Sequence, residues 1–366
     1  MKKVKVRNLI IGDGSVSVQS MTNIPVKDVA ATLSQINALK NAGCDVVRIA
    51  VPDMQSVAAF AEVRKFVDIP LVADIHFDYR LAIGAIDSGA DKIRINPGNV
   101  AERHLDEVIA AARANGVAVR IGVNGGSLNK DVYAELCAKA DDGKLGDVCL
   151  DRTFTAAQTV RTLALAESLA RYVRYFESRI FCDLVLSVKS SNVREMIAAN
   201  RLVAKLGYPL HLGVTEAGPV RQGIVKNSVG IGTLLLDGIG DTIRVSLTAD
   251  PVEEVLAAKD LLVSLGLRRG VNFVSCPKCG RCSVDLEGVA NRVHEMVANL
   301  DCPIKVAVMG CEVNGPGECA DADIGMAGGN GRFAFFKHGK IYRYVEADNA
   351  VDEFYKELQQ IVAENR

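Results

Sequence analysis

Between residue 16 and about residue 247 one pattern recurs. A short run rich in β-branched residues ends in a polar or glycine-bearing turn, and an amphipathic stretch with helical spacing follows. The runs are VSVQSM, DVVRIAVPD, PLVADIHFD, DKIRINPGN, VAVRIGVNGG, DLVLSVKSS, LHLGVTEAG and DTIRVSLTADP. The intervening stretches include DVAATLSQINALKNAG and VAERHLDEVIAAARANG; the second is expected to be capped near Asn99 and to stop at Gly116. Strands that alternate with helices predict βα units and parallel pairing. Eight such runs over about 250 residues is the arithmetic of an α/β chain folded as a (β/α)8 TIM barrel. A doubly wound open sheet fits less well, because IGDGSVS is a poor match to its glycine-rich first turn.

The longest connection follows the fifth run, from Asn124 to about Ile180, and combines the acidic patch KADDGKLGD with the helical TAAQTVRTLALAESLARYVRYFE. It reads equally well as a lid or partner surface and as a solvated insertion. After LLVSLGLRRG the texture changes. A cysteine cluster, a helix (LEGVANRVHEMVANL) and an apolar strand (IKVAVMG) come next. A glycine-rich segment, a hairpin in RFAFFKHGKIYRYV and a closing helix from about Val351 complete the chain. The expectation is a barrel over residues 1–266 and a small α+β domain over 271–366, with the boundary near Gly266–Gly270.

A chain of 366 residues has room for two cores. Its formal net charge of −1 gives no global field to attract nucleic acid or an anionic membrane. No apolar run approaches the ~20 residues of a membrane span, and MKKVKVRNLI lacks the apolar core of an export signal. The expected compartment is the cytoplasm. There the ten cysteines serve metals or catalysis more readily than disulfides. Cys44, Cys137, Cys149, Cys182 and Cys302 stand alone and read as packing thiols.

The barrel strands carry an unusual set of cations. Arg48, Arg94 and Arg244 occupy the same frame of strands two, four and eight, Lys189 the matching place in strand six, and Arg120 lies in strand five. Inward side chains of a barrel stack in layers drawn from alternate strands. Four cations therefore share one layer near the mouth, with Arg120 as a fifth. Each of them could pair privately with an acid such as Asp74 or Glu216. The adjacent strands hold too few acids to neutralise them all, and crowded, partly dry cations are costly unless an anion arrives. A phosphorylated ligand is the economical partner, a diphosphate more so than a monophosphate. Asn96, Asn99, Asn124 and Ser246 would add hydrogen bonds. Glu216, at a strand end, is either a proton donor or acceptor near that anion or a holder of Lys189 or Arg244. His76 reads as a core or rim residue before it reads as a catalyst.

In SCPKCGRC, Cys276, Cys279 and Cys282 fall three residues apart, and Cys311 opens CEVNGPGE after the apolar strand. A zinc ribbon would present a second, separate C-x-x-C elsewhere in the chain, and none exists here. A thioredoxin-like dithiol would need a βαβ setting. Thiolates close together, nearby glycines and a proline beside a ligand favour iron–sulfur ligation. Spacing leaves the fourth ligand open among Cys282, Cys319 and Glu318.

SCPKC, followed about thirty residues later by GCEVNGPGE, resembles the signature of the 4-hydroxy-3-methylbut-2-enyl diphosphate synthase family, enzymes of the methylerythritol phosphate route to isoprenoids. The likeness extends over nearly the whole chain, through VQSMTN, ADIHF, RINPGN, VNGGSL, SVKSS, HLGVTEAG and GIGDTIRVSLTADP. It implies a 4Fe–4S cluster held by Cys276, Cys279, Cys311 and Glu318; Cys282 and Cys319 fall outside the family pattern. It further implies that Arg48, Arg94, Arg120, Asn124, Lys189, Arg244 and Ser246 bind 2-C-methyl-D-erythritol 2,4-cyclodiphosphate, with Glu216 as the acid–base residue. An oxidoreductase of this kind takes electrons from flavodoxin or ferredoxin and works as a head-to-tail homodimer. Two other readings compete. One is a pterin-dependent or phosphosugar barrel enzyme with a zinc-stabilised appendage, the other a non-enzymatic cluster protein.

Overall fold

The eight runs form one closed ring of parallel strands. The computed structural model describes residues 2–96, 98, 101–125, 128–142, 150–298, 300–311, 317 and 319–364. These fall into two compact units, Met1–Leu262 and Val263–Arg366. The first opens with a hairpin the periodicity did not announce, β1 (Val4–Val6) paired antiparallel with β2 (Leu9–Ile11). Val4, Val6 and Ile11 are buried against Ala118 and Val185, at the starts of two barrel strands, so the hairpin plugs that end of the ring.

The ring consists of β3 (Ser17–Met21), β4 (Val46–Ala50), β5 (Leu71–Asp74), β6 (Lys92–Ile95), β7 (Ala118–Asn124), β8 (Leu184–Lys189), β9 (His211–Leu212) and β10 (Thr242–Ile243). Their order is β8-β7-β6-β5-β4-β3-β10-β9, all parallel, and a bridge between Leu186 and Leu210 closes it. Sequential neighbours and helical crossovers are what parallel pairing demands.

The helices begin where the strand-end turns supply a cap. Asp28 caps α1 (Val29–Asn41), Asp53 caps α2 (Met54–Arg64) and Asp78 caps α3 (Tyr79–Asp87). α4 (Glu102–Asn115) departs from expectation at its start. Its N-cap is Ala101, which makes no side-chain bond, and Asn99 lies outside the described residues. Its end is as expected, at Gly116 in the left-handed region (φ 63°), where a Cβ would be strained.

The long connection holds α5 (Lys130–Asp141) and α6 (Ala156–Ser178). A capping box of Thr155 and Gln158 starts α6, which buries Val160, Thr162, Leu165, Leu169, Val173 and Phe176. That burial excludes a solvated insertion for α6. α7 (Val193–Val203), capped by Asn192, α8 (Val220–Leu236) and α9 (Pro251–Ser264) complete the outer layer.

The second unit is a mixed sheet, ordered β11 (Asn272–Ser275), β12 (Lys305–Met309), β13 (Ile324–Gly329), β14 (Arg332–Lys337), β15 (Lys340–Glu346). The first three strands are parallel and the last two pairings antiparallel. α10 (Leu286–Val297) and the closing helix Ala347–Glu364 bury Val289, Val293, Phe354 and Leu358 with Val306, Val308 and Phe335 of the sheet. β13 hid in the glycine-rich segment. Gly325 is paired with Phe336, and a Cβ there would fall 2.1 Å from that ring, so the position accepts only glycine. Among the described residues no helix is long and apolar enough to cross a membrane.

Candidate active site

Strand register brings the cations together. Arg48 of β4 faces Met21 of β3, Asp74 of β5 faces Arg94 of β6, and Arg94 faces Arg120 of β7. Asn124, the last residue of β7, faces Lys189, the last of β8. Arg244 and Ser246 follow β10, and Glu216 follows β9. Glycines give the long side chains room. A Cβ on Gly122 would lie 3.1 Å from Arg94 Nε, and one on Gly213 would lie 2.7 Å from Lys189 Nζ.

Two carboxylates serve this ring. Asp74 is 3.4 Å from Arg94, 3.8 Å from Arg48 and 3.6 Å from His76 Nε2. Glu254, on α9, grips Arg244 with both oxygens at 3.0 and 3.1 Å and also accepts from Ser20 Oγ and Leu247 N. Met21 Sδ accepts from Arg48 Nε at 3.0 Å and NH2 at 2.8 Å. Among the described residues no carboxylate lies within ion-pair distance of Arg120 or Lys189. Arg120 is 1% exposed, and among the described residues its Nε and NH1 have no hydrogen-bond partner.

The electrostatic consequence is consistent around the ring. Burial pushes Arg48 down to about 10, against the pull of Asp74. Burial, then repulsion from Arg48 and Arg94, drives Arg120 well below the usual guanidinium value. Lys189 is driven down by burial and then by Arg120, Arg48, Arg244 and Arg94, so all five cations share one neighbourhood. Asp74 is raised by burial, but Arg48, Arg94, His76 and Arg120 outweigh it and hold the carboxyl below its ordinary range. The ring is positive, dry and short of counter-ions, the condition an arriving anion relieves.

Above it lies a cavity of about 500 Å³, lined by His76, Arg94, Asn124, Arg161, Glu195 and Glu216 among others. Glu216 is exposed and makes no ion pair with Lys189 or Arg244 among the described residues, so a holding role for those cations has no support. Its backbone is left-handed (φ 53°), a strained conformation for a side chain of this size. His76 sits half exposed on the rim.

In the second unit the parallel register sets Ser275, at the end of β11, beside Val308 of β12, so Cys276 and Cys311 leave from neighbouring strand ends. Cys276 Sγ accepts the Gly310 N–H at 3.2 Å. Cys279 is exposed, and hydrogen bonds from the Arg281 backbone and side chain lower its thiol. Among the described residues no group of three or more His, Cys, Asp or Glu is already gathered to hold a metal, and Glu318 lies outside them. The donors themselves suit iron. They are accessible or half-buried thiols, one accepting a backbone N–H as cluster thiolates do, another biased toward the thiolate. Cys319 and Cys302 are buried in the core, and Cys282 Sγ donates to Val284 O at 3.3 Å.

Sequence reasoning missed Glu254, Arg161 and Glu195. Glu254 had a signal, an acid in the first turn of the helix after the last barrel strand, ten residues beyond Arg244. Lys92 was also passed over. It is wholly buried on β6, and among the described residues its Nζ has no hydrogen-bond partner.

Fold and site together define a TIM-barrel protein with a cationic pocket at its strand ends and an appended α+β unit bearing paired cysteines. The chain belongs to the GcpE family: residues 1–259 match the GcpE TIM-barrel domain and residues 272–360 the GcpE protein C-terminal domain. Among its relatives, the 4-hydroxy-3-methylbut-2-en-1-yl diphosphate synthase (flavodoxin) of Clostridium acetobutylicum is 48% identical over 98% of this chain and 97% of its own length. The proteins of the same name from Caldanaerobacter subterraneus subsp. tengcongensis (46%; 99% and 98%) and Clostridium tetani (48%; 98% and 98%) are similarly close. Dihydropteroate synthase from Stenotrophomonas maltophilia superposes with a TM-score of 0.50 at 14% identity, covering 73% of this chain and 98% of that one. At that identity the likeness speaks for the barrel fold alone.

Proposed function

We propose that this chain reduces 2-C-methyl-D-erythritol 2,4-cyclodiphosphate to (E)-4-hydroxy-3-methylbut-2-enyl diphosphate, the product for which its relatives are named. Two electrons enter from flavodoxin, a ring C–O bond breaks, and one oxygen leaves as water. The observation that carries this reading is the cation ring, whose Arg120 and Lys189 have no carboxylate partner among the described residues. Arg48, Arg94, Arg120, Lys189 and Arg244 bind the diphosphate through charge-assisted hydrogen bonds. Asn124 and Ser246 orient it. Arg120 is buried and Arg48, Arg94 and Arg244 nearly so, so their charges act in a low dielectric. Glu216, on the exposed rim, is the acid–base residue that assists protonation of the departing oxygen.

Cys276, Cys279, Cys311 and Glu318 would hold a 4Fe–4S cluster. When bound it supplies single electrons and, at a carboxylate-ligated iron, an exchangeable coordination position. The protein acts as a homodimer. Anaerobic purification tests the reading: the wild type should carry iron and sulfide, and Cys276→Ser should lose both along with turnover of the cyclodiphosphate. Iron-free wild type that turns over at the full rate would refute it.

A further inference from the structure

α6 arises in the barrel's longest connection, yet it delivers Arg161 and Leu165 to the cavity wall. Glu195, in the first turn of α7, grips the Arg161 guanidinium. Nε lies 3.0 Å from Oε2, and NH2 donates to Oε1. The Glu195 side chain is 1% exposed, and its Oε2 also accepts from Ser190 Oγ at 3.2 Å. Ser190 Oγ in turn accepts the Asn192 N–H at 3.1 Å. The carboxylate is thus fixed by three elements, the turn after β8, the start of α7 and α6.

The Arg161 side chain is still 45% exposed at the cavity, and among the described residues its NH1 makes no hydrogen bond. A cation that only neutralised Glu195 would need no place on this wall. A guanidinium locked through two nitrogens, with a third left over, is a pre-oriented donor. It loses little side-chain freedom when an anion meets it.

We propose that Arg161 is a further substrate-positioning residue, its NH1 holding a phosphoryl oxygen of a diphosphate ligand at the cavity wall. This rests on the diphosphate reading of the cavity and adds to it a contact supplied by the long connection. That connection then acts as part of the binding site, with Glu195 setting the angle of the contact. Arg94 is the other cation on the same wall, and it comes from a strand. The two would bracket a ligand with donors of different origin.

The test is calorimetric binding of inorganic pyrophosphate and of the cyclodiphosphate to cluster-loaded full-length protein without reductant, so that nothing turns over. Arg161→Gln should weaken both ligands by roughly ten-fold or more, the loss expected of one charge-assisted hydrogen bond. Arg161→Lys keeps the charge but cannot make the two-pronged contact with Glu195, and should fall between. In steady state KM should rise by more than kcat falls. Glutamine and lysine variants that melt at a lower temperature but bind both ligands like wild type would overturn the proposal and leave Arg161 a structural partner of Glu195. If Arg161→Gln does not fold, the lysine variant carries the comparison alone. Wild type that binds neither ligand would overturn the diphosphate reading as well.

Discussion

The two units prepare for their ligands in opposite ways. In the barrel the candidate site is built before anything binds. Its cations stand on strands or just past a strand end, glycines clear space for them, and Asp74 and Glu254 hold three of the five in place. In the second unit the candidate cysteines follow the ends of β11 and β12 on loops, and the described thiols are not yet gathered into a metal-holding group. Rigid strands suit a site that must keep like charges close at a cost in stability. Loops suit donors that close around a guest, whose binding energy then contributes to order. The barrel should therefore show its ligand preference with no cluster present, and its site residues should show a trade between stability and binding.

The largest test of that contrast is Arg120→Met. The guanidinium is buried, and among the described residues its Nε and NH1 are unpartnered, so removing it should leave ligand-free stability unchanged or raise it by about 1–2 kcal/mol. Binding of pyrophosphate should fall by about 100-fold, as two charge-assisted bonds are lost. Urea unfolding beside calorimetry separates the two effects. A variant that loses both stability and affinity would mean Arg120 is an ordinary core residue, and the comparison between the units would break.

Asp74→Asn probes the other half of the balance, the acid that keeps two guanidiniums apart. It is 3% exposed and within ion-pair distance of Arg48, Arg94 and His76. Breaking such a buried cluster costs about 3 kcal/mol. The sign with pH follows from the lowered folded-state value of Asp74. Its contribution is complete above the unfolded carboxyl value of about 3.9 and is lost as pH falls through the lower folded one. The stability gap between wild type and Asp74→Asn, measured by urea unfolding, should be widest at neutral pH and narrow below about pH 4. A gap that widens on acidification would show that Asp74 is not ionised among these cations.

Much of this balance was legible before folding, and the exceptions share a cause. Period-two alternation placed Arg48, Arg94 and Arg244 on one face because strand geometry alone decides that. The number of βα runs fixed the ring because each parallel strand needs a crossover. What could not be read was a partner that arrives from a helix. Glu254 and the pair Arg161–Glu195 come from helices, and no spacing along the chain says which side chains those helices turn toward the mouth. β13 was lost for the opposite reason. Its glycines answer Phe336 and Val284, residues that oppose them only after the sheet forms. The hairpin β1–β2 was too short for periodicity to register.

The smallest expected effect lies at Glu216. Its left-handed backbone costs a side-chain-bearing residue about 1–2 kcal/mol, which glycine escapes. Glycine gives back about 0.5–1 kcal/mol through the freedom it adds to the unfolded chain. Glu216→Gly should therefore be more stable than wild type by roughly 0.5 kcal/mol, a shift visible in the urea midpoint. Turnover should drop sharply, because the rim carboxyl is gone. Pyrophosphate affinity should stay within about two-fold, since the cations that bind it stand on other elements. A stabilised, ligand-binding, slow variant would place Glu216 with the barrel's other residues kept at a cost to the fold. If the glycine variant is instead destabilised, the strain is illusory and the carboxylate is holding the turn after β9 in place.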